Sequence, residues 1–324
     1  MSDLPARITV HEEGPREGFQ FERTIFPIES RVALVDALSE TGLRHIQVAS
    51  FVSPRLVPQM ADAAELFGRI RKRPGVRHTA LWLSETGFER ARTTPGVDLV
   101  ANLYLYASDA FSRQNNGCSA AEMRDKQVRW IERYDRSGQP VEAAYVMAAF
   151  GCNLEGEVPI DAVLEVVDWL VRTFAALRRP LPVLYLADTV GWATPLDVER
   201  RIGAVRSRAP EAAVGLHLHD TRGMAVANAF AALRQGVTLF DGSVAGLGGC
   251  PFAGHAHGTA AGNICTEDLV FLAHEMGVET GIDLPSLLEA ARLAESIIGR
   301  PLAGRVMRSG MRAQPRLRAS LPET

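Results

Sequence analysis

The chain has 324 residues, 47% of them hydrophobic and 23% charged, with 35 basic residues against 38 acidic and a formal net charge of −3. That is enough chain to bury a substantial core, and the near-balance of charge excludes a globally basic, nucleic-acid-binding surface. No apolar run approaches the ~18–20 residues needed to span a bilayer, and no basic-then-apolar leader precedes the first strand, so neither a membrane nor a presequence is expected.

In chain order, short apolar or β-branched runs alternate with longer amphipathic ones. The expected strands are 7–12 (RITVHE), 45–50 (HIQVAS), 78–83 (HTALWL), 99–106 (LVANLYLY), 141–150 (VEAAYVMAAF), 181–188 (LPVLYLAD), 213–220 (AVGLHLHD) and 239–246 (LFDGSVAG). Helices are expected over 29–41, 61–72, 85–93, 119–137, 159–178, 194–208, 222–235 and 265–276. Strand–helix alternation implies parallel strands with crossover helices. Eight such units, with no dinucleotide Gly fingerprint after the first strand, predict an α/β fold of the (β/α)8 TIM-barrel type. A C-terminal helical extension follows at 284–298, with a loosely held tail from Arg300. No low-complexity linker divides residues 1–324, so one domain is expected, its barrel over about 7–280 and its extension over about 284–324. Cys118, Cys152, Cys250 and Cys265 lack paired CxxC spacing and are too few for a disulfide framework, which points to a cytoplasmic setting.

In such a barrel, chemistry gathers at the C-terminal ends of the strands. Arg16 and Glu17 follow the first strand in a Gly-Pro-Arg-Glu-Gly turn, Gln47 and Ser50 close the second, and Asp188 and Thr189 close the sixth. His217 and His219 alternate on the seventh strand, so both face the same side, as two metal ligands must. Glu17 and Asn263 would complete a set of two imidazoles and two oxygens. Such a set suits a divalent cation, Mg²⁺ or Mn²⁺ foremost, with Zn²⁺ or Co²⁺ as alternatives. After the eighth strand, GLGGCPFAGHAHGTAAGN carries six glycines with Cys250, His255 and His257, the composition of a closing loop. Gln20, Ser50, Thr189 and Arg222 are candidate substrate contacts.

GPREGFQFE, SETGLRHIQVASFVSPRLVPQMAD, LADTVGWATP, LHLHDTRGMAVANAFAALRQGV and DGSVAGLGGCPFA with GNICTEDLVFL, in that order over about residues 7–298, resemble the hydroxymethylglutaryl-CoA lyases. The resemblance implies metal-dependent cleavage of a carbon–carbon bond in a 3-hydroxyacyl-CoA thioester, giving an acyl-CoA enolate and a carbonyl product. Residue by residue, it implies that Arg16 steadies the enolate oxygen and that Glu17, His217, His219 and Asn263 hold the cation. Asp188 would lie near the reacting hydroxyl, and Cys250 would deliver a proton to the enolate carbon.

The chain departs from the family pattern within the site. Glu17 replaces an Asp, and its extra methylene moves the carboxylate by roughly 1.5 Å. Gln47 stands where the family has a Glu, and an amide cannot take a proton at neutral pH. The loop between Cys250 and Asn263 is longer and inserts His255 and His257, either of which is expected to supply the acid–base capacity missing at Gln47. Arg222 stands at the position of an aromatic residue. These changes favour another 3-hydroxyacyl-CoA over hydroxymethylglutaryl-CoA itself. The alternatives are an aldol- or Claisen-type synthase, a hydroxy-oxoacid aldolase, and a non-catalytic binding protein on the same barrel. A homodimer or higher homo-oligomer is compatible with any of these.

Overall fold

The computed structural model describes residues 4–249 and 262–312. Eight parallel strands form the barrel: β1 Thr9–Glu12, β2 His45–Ser50, β3 Arg77–Leu81, β4 Ala101–Tyr106, β5 Val141–Met147, β6 Val183–Asp188, β7 Val214–Leu218 and β8 Leu239–Gly242. Their order is β3-β2-β1-β8-β7-β6-β5-β4, so sequence neighbours are sheet neighbours except β3 and β4. The ends of that order, β3 and β4, meet at a seam. There Asp98 joins them at the strand base, its N–H donating to the His78 carbonyl at 2.9 Å and its carboxylate accepting the His78 N–H at 2.7 Å. This is the TIM barrel expected from the alternation.

The helices are α1 Gly14–Phe21, α2 Ile28–Ser39, α3 Ala63–Arg69, α4 Glu85–Thr93, α5 Asp109–Asn116, α6 Ala120–Arg136, α7 Ile160–Ala176, α8 Pro195–Arg208, α9 Ala225–Arg234, α10 Thr266–Glu275, α11 Leu284–Ile298 and α12 Val306–Ser309. Helices α6 and α8 start at capping boxes, Ser119 with Glu122 and Thr194 with Asp197, which satisfy otherwise unpaired N–H groups. One apolar cluster lies between the strands and the helix layer, drawing Leu34, Ile46, Leu103, Leu184, Leu216, Phe240 and Leu287 from opposite sides of the barrel.

The barrel interior is polar and aromatic rather than aliphatic. Tyr104, Tyr145 and Tyr185 stack in succession, with centroids 5.4 and 4.6 Å apart. Tyr185 Oη lies 3.3 Å from His11 Nδ1, His11 stacks on His45 at 4.1 Å, and His45 Nε2 lies 2.9 Å from Thr79 Oγ1. Burial pushes the ionisation of Tyr145 and Tyr185 well up and that of His11 and His45 down, so these groups are held neutral.

Several local expectations are corrected. The Gly-Pro-Arg-Glu-Gly stretch is the first turn of α1 rather than an open turn. Pro15 sits at N2, in the first turn, where its missing N–H would have had no helical partner, and the Glu13 carbonyl accepts the N–H groups of Arg16 and Glu17 at 3.2 and 2.8 Å. Helix α5 and a small hairpin, Gly151–Cys152 with Gly156–Glu157, occupy segments expected to be loop. Strand β8 stops at Gly242, where a single helical turn at Val244–Gly246 begins, with Ala245 at φ 56°. Of the tail expected to be loose, the described part is docked: Leu302, Val306 and Met307 are buried, and Asp268 accepts the N–H groups of Arg305 and Val306.

Candidate active site

Two adjacent glutamates, Glu12 at the end of β1 and Glu13 at the N-cap of α1, take different partners. Glu12 faces outward, fully buried. It accepts the N–H groups of Gly14 and Val244, each at 2.8 Å, and the Thr266 hydroxyl at 2.5 Å. These bonds tie β1, the turn after β8 and α10 into one frame. Gly14 belongs to that frame, because a Cβ there would lie 2.6 Å from Glu12 Oε1 and 2.9 Å from Ser243 Oγ. Glu13 faces the barrel mouth, and helix α1 carries Arg16 and Glu17 back over the same opening.

Arg16 is held on two edges. Its Nε donates to Gln47 Oε1, and its Nη2 donates to Glu13 Oε2 at 2.6 Å, with Glu17 Oε2 3.1 Å away. Glu17 in turn lies 3.6 Å from His219 Nε2. Burial disfavours its charge, but Arg16, His217 and His219 outweigh that and hold its carboxyl below the ordinary value. The extra methylene of Glu17 is accommodated opposite Gly248, at φ +95°, where any Cβ would lie 2.8 Å from Glu17 Cγ.

His217 and His219, from β7, bring their Nε2 atoms within 3.2 Å of each other. Ligand atoms of Glu17, His217 and His219 all lie within 4.8 Å of one another. Behind His217, Asp241 on β8 accepts at Nδ1 across 3.0 Å, which fixes the ring and leaves Nε2 facing the cluster. Burial opposes charge on His217, but the bond to Asp241 and the nearby Glu17 and Glu13 push it up to about 9. For His219, burial dominates and pushes it down to about 4. Asn263 is bridged to His219 through the backbone; its buried side-chain amide lies close enough to Glu17 to help hold that carboxylate charged, yet neither of its polar atoms makes a hydrogen bond of normal geometry. Buried amide atoms are rarely left unpaired. Their place beside two converging imidazoles and a carboxylate fits a divalent cation bound by Glu17, His217, His219 and Asn263.

The remaining candidates divide between the site and its frame. Gln47 and Arg16 meet as described, and Gln20 accepts from the Ser50 hydroxyl at 2.9 Å. Asp188 is anchored to its own loop: its two oxygens accept the N–H groups of Trp192 and Ala193 at 2.7 and 3.1 Å, and burial pushes it up to about 7. Thr189 accepts the N–H of Ala148 at 2.8 Å, joining the turns after β5 and β6. Arg222 donates to the carbonyls of Val190 and Gly191, at 3.1 and 2.8 Å, and lies over Trp192. Cys250, His255 and His257 lie outside the described residues. Glu13 and Asp241 were missed as site residues. The inward register of β1 and β8 is the signal that would have found them, since His11 pairs with Asp241 and Asp241 with His217.

The family model described as HMGL-like matches residues 7–294. The chain belongs to the HMGL-like family. It is 37% identical over 307 residues to the 3-hydroxy-3-isohexenylglutaryl-CoA/hydroxy-methylglutaryl-CoA lyase of Pseudomonas aeruginosa, covering 95% of this chain and 98% of that one. It is 38% identical over 312 residues to the mitochondrial hydroxymethylglutaryl-CoA lyase of Rattus norvegicus, covering 94% and 90%. Among solved structures, an HMG-CoA lyase from Acinetobacter baumannii in complex with coenzyme A and 3-methylmalate aligns with a TM-score of 0.82 at 32% identity, over 100% of this chain and 99% of that one. Within this HMGL-like chain, none of the helices formed by the described residues is long and apolar enough to cross a membrane.

Proposed function

We propose that this protein is a divalent-cation-dependent carbon–carbon lyase that cleaves a 3-hydroxyacyl-CoA to an acyl-CoA and a carbonyl product. The observation that carries the proposal is the convergence of Glu17, His217, His219 and Asn263 beside the guanidinium of Arg16 at the C-terminal mouth of the barrel. The family relationship supplies the substrate class: relatives over nearly the full chain are lyases of hydroxymethylglutaryl-CoA and a homologue of it, and one solved relative holds coenzyme A.

The reaction requires loss of the proton on the C3 hydroxyl, breakage of the C2–C3 bond, and stabilisation of the electron pair left on the thioester enolate. A cation bound at this set would lower the pKa of the substrate hydroxyl and fix its orientation. Mn²⁺ or Mg²⁺ suits the mixed nitrogen and oxygen donors. Arg16 supplies a permanent positive charge where the enolate oxygen becomes negative. Gln47, already committed to Arg16 Nε, orients that charge. Asp188, Thr189 and Arg222 hold the loops after β5, β6 and β7 that border the opening, and Asp188 is also assigned the place of the polar group near the reacting hydroxyl. Cys250 is assigned the return of a proton to the enolate carbon, and His255 or His257 the acid–base capacity that Gln47 lacks.

The test is a panel of 3-hydroxyacyl-CoA and 4-hydroxy-2-oxoacid substrates, assayed with chelated protein and after adding back Mn²⁺ or Mg²⁺. Cation-dependent release of an acyl-CoA is the expected result. Turnover of the oxoacids alone would support an aldolase, and no turnover with no saturable cation binding would support a non-catalytic protein.

A further inference from the structure

We infer that Glu13 is the positioning residue for Arg16, the carboxylate that holds the guanidinium so that its Nη1 edge is presented to the substrate. This rests on the lyase reading for the reaction concerned. The geometry rests on the structure alone.

The guanidinium has five N–H donors in a rigid plane. Its Nε edge is taken by Gln47 Oε1, and its Nη2 is taken by Glu13 Oε2 at 2.6 Å. Nη1 makes no hydrogen bond to a described residue, so the two bonds leave that edge as the presented one. Glu17 Oε2 also lies 3.1 Å from Nη2, but Glu17 turns its other oxygen to His219 and belongs to the cation set. A carboxylate bound to a cation shares its charge with it. Glu13 is then the counter-charge left to the guanidinium.

The contrast with Glu12 separates this role from scaffolding. Glu12 takes three bonds from the frame. The Glu13 side chain takes its one hydrogen bond from Arg16, and Oε1 accepts nothing from a described residue. The work Glu13 does for the fold is done by its backbone: its N–H donates to the Gly242 carbonyl at 2.8 Å, and its carbonyl starts α1. Changing the side chain therefore leaves those bonds in place. The side chain is 5% exposed, so its bond to Arg16 is shielded from water and works at short range.

The arrangement also makes a specific reversal possible. Gln47 is on a different strand and already touches Arg16 through an oxygen. A carboxylate placed there can return the lost counter-charge at Nε. Placed there while Glu13 remains, it would crowd three carboxylates around one guanidinium.

The experiment compares wild type, Glu13→Gln, Gln47→Glu and the double variant Glu13→Gln/Gln47→Glu by steady-state kinetics on the substrate found for the wild type. Mn²⁺ titration is run alongside. Glu13→Gln is expected to lower kcat about 100-fold, the cost of a misplaced catalytic charge, with KM and Mn²⁺ affinity little changed. The double variant is expected to regain most of that loss, and Gln47→Glu alone to lower kcat. Unchanged kcat in Glu13→Gln, no recovery in the double variant, or a fall in Mn²⁺ affinity matching the fall in kcat would each overturn the inference. If the wild type cleaves no 3-hydroxyacyl-CoA, the lyase reading fails on its own. Crystal structures of the variants then decide Glu13: Arg16 unmoved in Glu13→Gln overturns the inference, while displacement there and return in the double variant supports it.

Discussion

Gly248 leaves room for the Glu17 side chain beside Asn263, and replacing it by alanine tests that packing directly. At φ +95° a side chain is strained whatever the space, at a cost of about 1–3 kcal/mol. The new Cβ would sit 2.8 Å from Glu17 Cγ, 3.3 Å from its Cβ and 3.4 Å from Asn263 Nδ2. Moving Glu17 Cγ from 2.8 Å to the 3.4 Å at which ordinary contact begins is a retreat of about 0.6 Å. Metal sites hold ligand distances to about ±0.2 Å, so the carboxylate must leave its place or the loop must shift. Either outcome lowers Mn²⁺ affinity by about 10–100-fold, the range for disturbing a ligand's support. That corresponds to about 1.4–2.7 kcal/mol. Electron paramagnetic resonance titration of chelated protein with Mn²⁺ reads the affinity, and a thermal melt without metal reads the strain as a Tm lower by a few degrees. An alanine variant that binds Mn²⁺ as tightly as the parent would refute the packing argument.

Three further outcomes are expected. Asp241→Asn weakens the hold on His217 Nδ1, made across 3.0 Å, and should reduce Mn²⁺ affinity about 10-fold while leaving the melt nearly unchanged; an equal affinity would show that His217 needs no orienting carboxylate. Arg201, fully buried, donates to the carbonyls of Ala149 and Val158 at 2.7 and 2.6 Å, so Arg201→Met should cost about 3 kcal/mol in urea unfolding by leaving those groups unpaired; a loss below about 1 kcal/mol would contradict that account. Burial, helped by Lys72, pushes His78 down to about 4, below its value of 6.5 in an unfolded chain. The unfolded state therefore takes up the proton first, and the stability His78 contributes is present above pH 6.5 and lost as pH falls toward 4. The stability deficit of His78→Asn relative to wild type should accordingly shrink between pH 7 and pH 4.5, and a constant deficit would rule the titration out.

The alternation of apolar runs and amphipathic stretches was enough to read eight strands and the helices between them, because parallel strands buried on both faces demand that pattern. The pairing of His217 with His219 was equally legible, since a period of two is a property of any strand. What the sequence alone left undecided depends on which chain segments meet. Gly-Pro-Arg-Glu-Gly reads locally as a turn, and it becomes α1 with its first residue seated on Glu12, which Val244 and Thr266, distant in sequence, hold in place. Asp188 reads as a reactive acid at a strand end, and only the folded loop shows that its oxygens also accept the N–H groups of Trp192 and Ala193. Glu13 and Asp241 carry no local motif; β1 and β8 place them against Arg16 and His217 by register. Sequence fixes which chemical groups a strand end can offer, through composition and periodicity. Tertiary structure decides which of them are spent on the frame, because a hydrogen bond taken by a loop N–H is no longer available to a substrate.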